Sequence, residues 1–174
     1  MGQTSLDQFI GSVRQSWTGL NSNTVEATLR ALQAVSKSPN DEPWLSDIHR
    51  EKPATRELYR DPDHGFILLV HSEHRDQYRK PHDHGEGWVF YAVQYGESQM
   101  TTYKPVTSQT GVTSLVSRGA VSMTKGDCQV FLPRDIHDTA CISDYLIQFR
   151  LTSTDFSREK VEGRMIQYQT NDAA

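Results

Sequence analysis

Lys80-Pro81-His82-Asp83-His84-Gly85-Glu86-Gly87-Trp88 is the stretch on which the reading of this 174-residue chain turns. Two histidines at i and i+2 on a strand point to one face, so the imidazoles of His82 and His84 can converge on a single metal ion. A third ligand must then come from a distant strand that looks into the same interior. His137, in Leu132-Pro133-Arg134-Asp135-Ile136-His137, supplies it. The strand segments around these histidines share one pattern. Phe66-Ile67-Leu68-Leu69-Val70 reads as a buried strand, and Trp88 to Val93 and Ser98 to Tyr103 read as two strands joined at Tyr95-Gly96-Glu97. Val112 to Met123 carries a turn at Arg118-Gly119, Val130-Phe131-Leu132 follows Lys125-Gly126-Asp127, and Tyr145 to Leu151 and Met165 to Tyr168 close the set. Many short strands with Gly or Pro turns predict a mainly β chain, a small antiparallel barrel or sandwich.

The first fifty residues read differently. Leu6, Phe9, Ile10, Val13 and Trp17 recur at helical spacing behind Thr4 or Ser5 as a cap. A second helix is expected from Asn23, with Glu26 as its capping-box partner and Val25, Leu29, Leu32 and Val35 as its apolar face. Ser38-Pro39-Asn40-Asp41-Glu42-Pro43 ends it. The expectation is a single domain over residues 1–174, with a helical arm over 1–50 and a β-barrel over 51–174.

Composition narrows the function. Eighteen Lys and Arg against 22 Asp and Glu give a net charge of −4, which leaves no basic field for a nucleic acid. Mean hydropathy is −0.63, and no apolar run approaches a membrane span. Cys128 and Cys141 are too few for a disulfide scaffold and suit a reducing, cytoplasmic setting. The expected partners are a small molecule and no membrane. Exposed edge strands leave both a monomer and a homodimer open.

Residues 81–88 with the Gly96-Glu97 turn resemble the first motif of the cupin superfamily, and Gly126 through Pro133 to His137 resembles the second. Within it the chain is similar to the bacterial cysteine dioxygenase or thiol dioxygenase family. The resemblance implies a double-stranded β-helix and Fe(II) on His82, His84 and His137, with Zn(II), Ni(II) and Mn(II) as other ions that three histidines accept. Where most cupins carry a glutamate ligand, Trp88 and Val89 stand here, as in thiol dioxygenases. Three neutral ligands leave the ion its full charge and up to three open positions, which favours a chelating anionic substrate plus dioxygen. The implied reaction oxidises a small anionic thiol, cysteine or a 3-mercaptopropionate-like compound, to a sulfinate with O2.

The resemblance places the carboxylate-binding arginine at Arg56, with Arg60 as the alternative. The family's Ser-x-His-x-Tyr triad falls on Gln148, Arg150 and Thr152, so none of its residue types is present. Arg150 could hold an acidic substrate if it faced inward, but Ile147, Phe149 and Leu151 alternate with it, and alternation alone would put the apolar set inside. Tyr91 is a candidate acid or base, or a half-buried strand aromatic. Trp88 is expected to pack over the ligand turn. His64, His71 and His74 are expected at the surface, and both cysteines in the core. Two rivals stand beside this reading. His84-Gly85-Glu86 with His137 also fits the two-histidine, one-carboxylate pattern of 2-oxoglutarate oxygenases. A cupin lyase, isomerase, carbon–carbon-cleaving dioxygenase or non-catalytic binding module would use the same histidines on a non-thiol ligand.

Overall fold

The computed structural model describes residues 2–169. Three helices come first: α1 (Ser5–Ser16), α2 (Ser22–Ser36) and α3 (Pro43–Glu51). Thr4 caps α1 through a reciprocal box with Asp7, and Asn21, two residues ahead of the expected start, caps α2 by accepting from the Thr24 amide. The third helix, which begins at the last residue of the expected 38–43 turn, is not among the expected elements. Pro43 occupies its first turn, where a missing N–H costs nothing, and Leu45 and Ile48 are its buried face.

Nine strands follow: β1 (Arg56–Arg60), β2 (Ile67–His74), β3 (Tyr78–His82), β4 (Val89–Tyr95), β5 (Ser98–Thr107), β6 (Thr113–Met123), β7 (Cys128–Phe131), β8 (Ile136–Cys141) and β9 (Tyr145–Thr152). A short helix, α4 (Phe156–Val161), comes after them. Pairing defines the fold. The β5–β6 hairpin is the centre of a two-stranded ribbon whose successive rungs are β4 with β7, β3 with β8, and β2 with β9, all antiparallel. That ribbon coils between a five-stranded sheet, β1-β2-β9-β4-β7, and a four-stranded sheet, β3-β8-β5-β6. The chain is a mainly β, double-stranded β-helix preceded by three helices and followed by one short helix.

Two expectations change here. Arg118-Gly119 is no turn: β6 runs straight through it, and the pairing register with β5 slips between Thr101 and Tyr103, opposite Gly119 at φ 103°. It is a bulge that only glycine enters without strain. Residues 165–168 form no strand; Gln167 makes one isolated bridge to His82.

The five-stranded sheet is buried on both faces. Leu68, Val70, Phe90, Ala92, Ile147, Phe149 and Leu151 pack against Phe9, Val13, Trp17, Leu32, Val35, Leu45 and Ile48 of the helical arm. On the opposite face Val89, Tyr91, Val93, Leu146 and Phe131 pack with Met100 and Met123 of the four-stranded sheet. The apolar alternation of β9 therefore points at the helices, and its polar set, Gln148, Arg150 and Thr152, points into the barrel.

Candidate metal centre

His82 ends β3 and His84 lies two residues beyond it. His137, near the start of β8, is the direct cross-strand partner of His82. The ring centroids are 4.9 Å (His82–His84), 4.7 Å (His82–His137) and 5.2 Å (His84–His137) apart. One ligand nitrogen from each lies within 4.8 Å of the others, and among the described residues no carboxylate joins the group.

The surroundings leave ring nitrogens free to serve as ligands. His82 Nδ1 donates to the Lys80 carbonyl at 2.8 Å, which leaves the Nε2 lone pair for the site. Phe131 stacks on His137 at 3.8 Å and 15°, and Phe156 on His84 at 5.0 Å and 26°. His84 Nδ1 and both ring nitrogens of His137 are buried without a partner from the protein. Burial first, and the Arg150 cation among the lesser causes, pushes the pKa of all three histidines down. Neutral imidazoles with unpartnered buried nitrogens are the donor set a divalent ion requires, so the residues fit a metal.

Gly85 allows the sharp exit from the ligand turn: its φ is 61°, and a Cβ there would lie 2.5 Å from Glu159 Oε2. Asp83, 1% exposed, ties that turn to the segment after α4 through the Gly85 and Ile166 amides and the Tyr168 hydroxyl.

A cavity of about 760 Å³ opens in front of the histidines, lined by His71, Tyr91, Gln148 and Arg150 as well as His82 and His84. Tyr91 Oη lies 3.5 Å from His84 Nε2, and burial raises its pKa. Arg150 pairs with no carboxylate within 4.0 Å among the described residues; its Nε is buried without a partner, and its guanidinium sits 5.4 Å from the Phe156 ring. Arg79, Lys80, Arg150 and Lys160 line the cavity against only two carboxylates, Glu73 and Asp83. Glu73 is already held by Arg79 at 2.7 Å. In a chain of net charge −4, this cavity is cationic.

Several expected site residues are not brought to it. Arg56 pairs with Glu51 on the outside of edge strand β1. Arg60 pairs with Glu57 at 2.7 Å and Asp155 at 3.0 Å, beside a smaller cavity of about 270 Å³ that it and Thr152 share with Arg150. Trp88 turns to the helical arm and stacks on Trp17 at 5.8 Å and 16°. Glu86 is 59% exposed and pairs with Arg134. His71, expected at the surface, is 7% exposed and lines the cavity; a histidine at the centre of an apolar strand was the available signal.

No protein-family model and no curated protein sequence matches the chain. Solved structures similar to it include the cupin domain of Schizosaccharomyces pombe Cnp3, at 11% identity, covering 63% of this chain and 69% of that one, with a TM-score of 0.45. A cupin superfamily protein from Desulfitobacterium hafniense shares 13% identity over 58% of this chain and 76% of its own, with a TM-score of 0.44. KdgF from Halomonas sp. shares 13% over 56% and 74%, with a TM-score of 0.44. Among the described residues no helix is long and apolar enough to cross a membrane. Strand pairing gives a double-stranded β-helix, and side-chain geometry brings together in it three histidines that could hold a metal ion.

Proposed function

We propose that the protein is a mononuclear iron dioxygenase that converts a small anionic thiol to its sulfinate. The carrying observation is an Arg150 guanidinium with no carboxylate partner among the described residues in the cavity that His82 and His84 line, beside a three-histidine group that includes no carboxylate. An iron ion held by His82, His84 and His137 would supply the redox contact between thiolate and dioxygen. Both oxygen atoms end on sulfur, so RS⁻ and O2 become RSO2⁻ with no outside reductant. Arg150 takes the substrate carboxylate as a fork, the part assigned at the sequence level to Arg56 or Arg60. Tyr91 keeps its proton at Oη through neutral pH and offers it as a hydrogen bond to the oxygen building up on sulfur. The cationic lining draws the anion in. Free Cys128 and Cys141 suit a reducing compartment, so the site of action is cytoplasmic in this reading.

The cavity is larger than cysteine requires, so the substrate panel extends from cysteine and 3-mercaptopropionate to cysteinyl dipeptides. The test is elemental analysis, anaerobic Fe(II) reloading and an oxygen electrode. One iron per chain, thiol-dependent oxygen uptake, a sulfinate product and loss of all three in His82→Ala are expected. Arg150→Lys should raise KM by about tenfold or more, because a fork becomes a point charge. Full iron loading with no oxygen uptake on any thiol would refute the reading and leave a non-oxidative cupin metalloenzyme.

A further inference from the structure

His71 on β2 and Gln148 on β9 are direct cross-strand partners, two pairs along from Leu69 and Arg150 and so on the same face. Both line the cavity, at 7% and 3% exposure, and the proposed oxidation uses neither. Thr55 fixes the state of the imidazole. Its only hydroxyl hydrogen goes to the Ala54 carbonyl at 2.8 Å, so toward His71 Nδ1, 2.9 Å away, it can only accept. A neutral imidazole protonated at Nδ1 is an acceptor at Nε2. That Nε2 and Gln148 Oε1 are both buried without a donor from the protein.

Two adjacent buried acceptors without a donor, next to a cation without an anion, describe the ligand they would satisfy. We infer that His71 and Gln148 form a subsite that reads a hydrogen-bond-donating group of the substrate, an ammonium or a hydroxyl, on the same small molecule whose carboxylate Arg150 holds. The inference rests on the anion-site reading of Arg150 given above. Burial, with Arg150 as a lesser cause, holds His71 down to about 4, so it stays an acceptor across the physiological range. An analogue without the donor leaves both acceptors unpaired in the bound state, and a site of this kind rejects it.

The experiment is anaerobic calorimetric titration of the Fe(II)-reloaded protein with two pairs of ligands. L-cysteine and 3-mercaptopropionate differ only in the amino group, as do L-serine and 3-hydroxypropionate without the sulfur. The wild-type protein should bind the amino-bearing member of each pair at least about tenfold more tightly, or about 1.4 kcal/mol. Gln148→Met and His71→Phe should each bring that ratio close to one. A wild-type ratio near one, a preference that survives in both variants because the amine ligates iron instead, or no binding by either pair overturns the inference. Far-UV circular dichroism checks folding; should His71→Phe fail to fold, the near-isosteric Gln148→Met decides alone. A serine preference lost in the variants without any thiol-dependent oxygen uptake would retain the subsite and remove the dioxygenase. Thiol-dependent uptake with a flat ratio would do the reverse.

Discussion

Replacing Asp83 by Ala should uncouple the metal-ligand turn from the segment that braces it. Asp83 Oδ1 accepts from the Gly85 and Ile166 amides, each at 3.0 Å, and Oδ2 accepts from the Tyr168 hydroxyl at 3.0 Å. Two backbone bonds run alongside, Asp83 to Ile166 at 3.0 Å and Tyr168 to Pro81 at 2.8 Å. A hydrogen bond to a charged group is worth about 1.5–3 kcal/mol net. The two amides count in full, and the half-buried phenol, which water can reach, counts for less. The expected loss is about 4 kcal/mol, or about 8–16 °C in Tm at about 2–4 °C per kcal/mol for a domain of this size. Asp83→Asn keeps one acceptor oxygen and should lose about half as much. Because the carboxylate lies between His82 and His84, metal affinity should also fall by about 10–100-fold, as when partners that orient ligands are lost. Thermal unfolding of the metal-free protein gives the first number, and Zn(II) competition against a chelating dye gives the second. A Tm within about 3 °C of wild type would refute the stability argument. A full Tm loss with unchanged Zn(II) affinity would show that the carboxylate holds the bracing segment but not the histidines.

The metal-free protein should lose stability as the pH falls from about 6.5 toward 4. His71, His82, His84 and His137 all have folded pKa values depressed by burial, so over that window the unfolded chain binds more protons and stability rises with pH, at about 1.4 kcal/mol per pH unit for each histidine held neutral. Urea midpoints at pH 4.5, 5.5 and 7.5 measure this, and a flat profile would contradict it. Trp17→Ala removes a ring that lies 4.8 Å from Phe66 and 5.8 Å from Trp88, and should cost about 3–5 kcal/mol in urea unfolding while Zn(II) binding at 25 °C persists. Gly87→Ala would put a Cβ 2.3 Å from Phe156 Cε1 and push that ring off His84. Metal affinity should fall more than Tm, and the opposite order would show that the stacking does not position the histidine.

The histidine triad was legible because its determinants are few: a two-residue spacing, and a third histidine on a distant strand that looks into the same interior. Strands β2, β4, β5, β7 and β9 were legible from apolar runs and glycine turns. β1 was not read as a strand and β3 only at its histidine end, because Arg56–Arg60 and Tyr78–His82 are charged or polar at most positions and are held by pairing with β2 and β8 rather than by their own pattern. The inward turn of Arg150 was beyond reach of alternation for a definite reason. Alternation separates a wet face from a dry one, and β9 has two dry faces, of which the more apolar belongs to the helices. The same feature hid His71 and Gln148, whose burial depends on a second sheet that no local window contains.

β9 also sets which wall of the cavity can yield. It is hydrogen-bonded to β2 on one side and β4 on the other, and it is covered above and below. Its amides should exchange with solvent only through global opening, on the slowest timescale that the domain has. Arg150 and Gln148 ride on that strand. The wall formed by Met165, Ile166 and Gln167 is held by a few hydrogen bonds and one isolated bridge, so it can open at a fraction of that free energy. Traffic into and out of the cavity should therefore pass on the side of residues 165–167, past a charge that stays where the whole domain holds it.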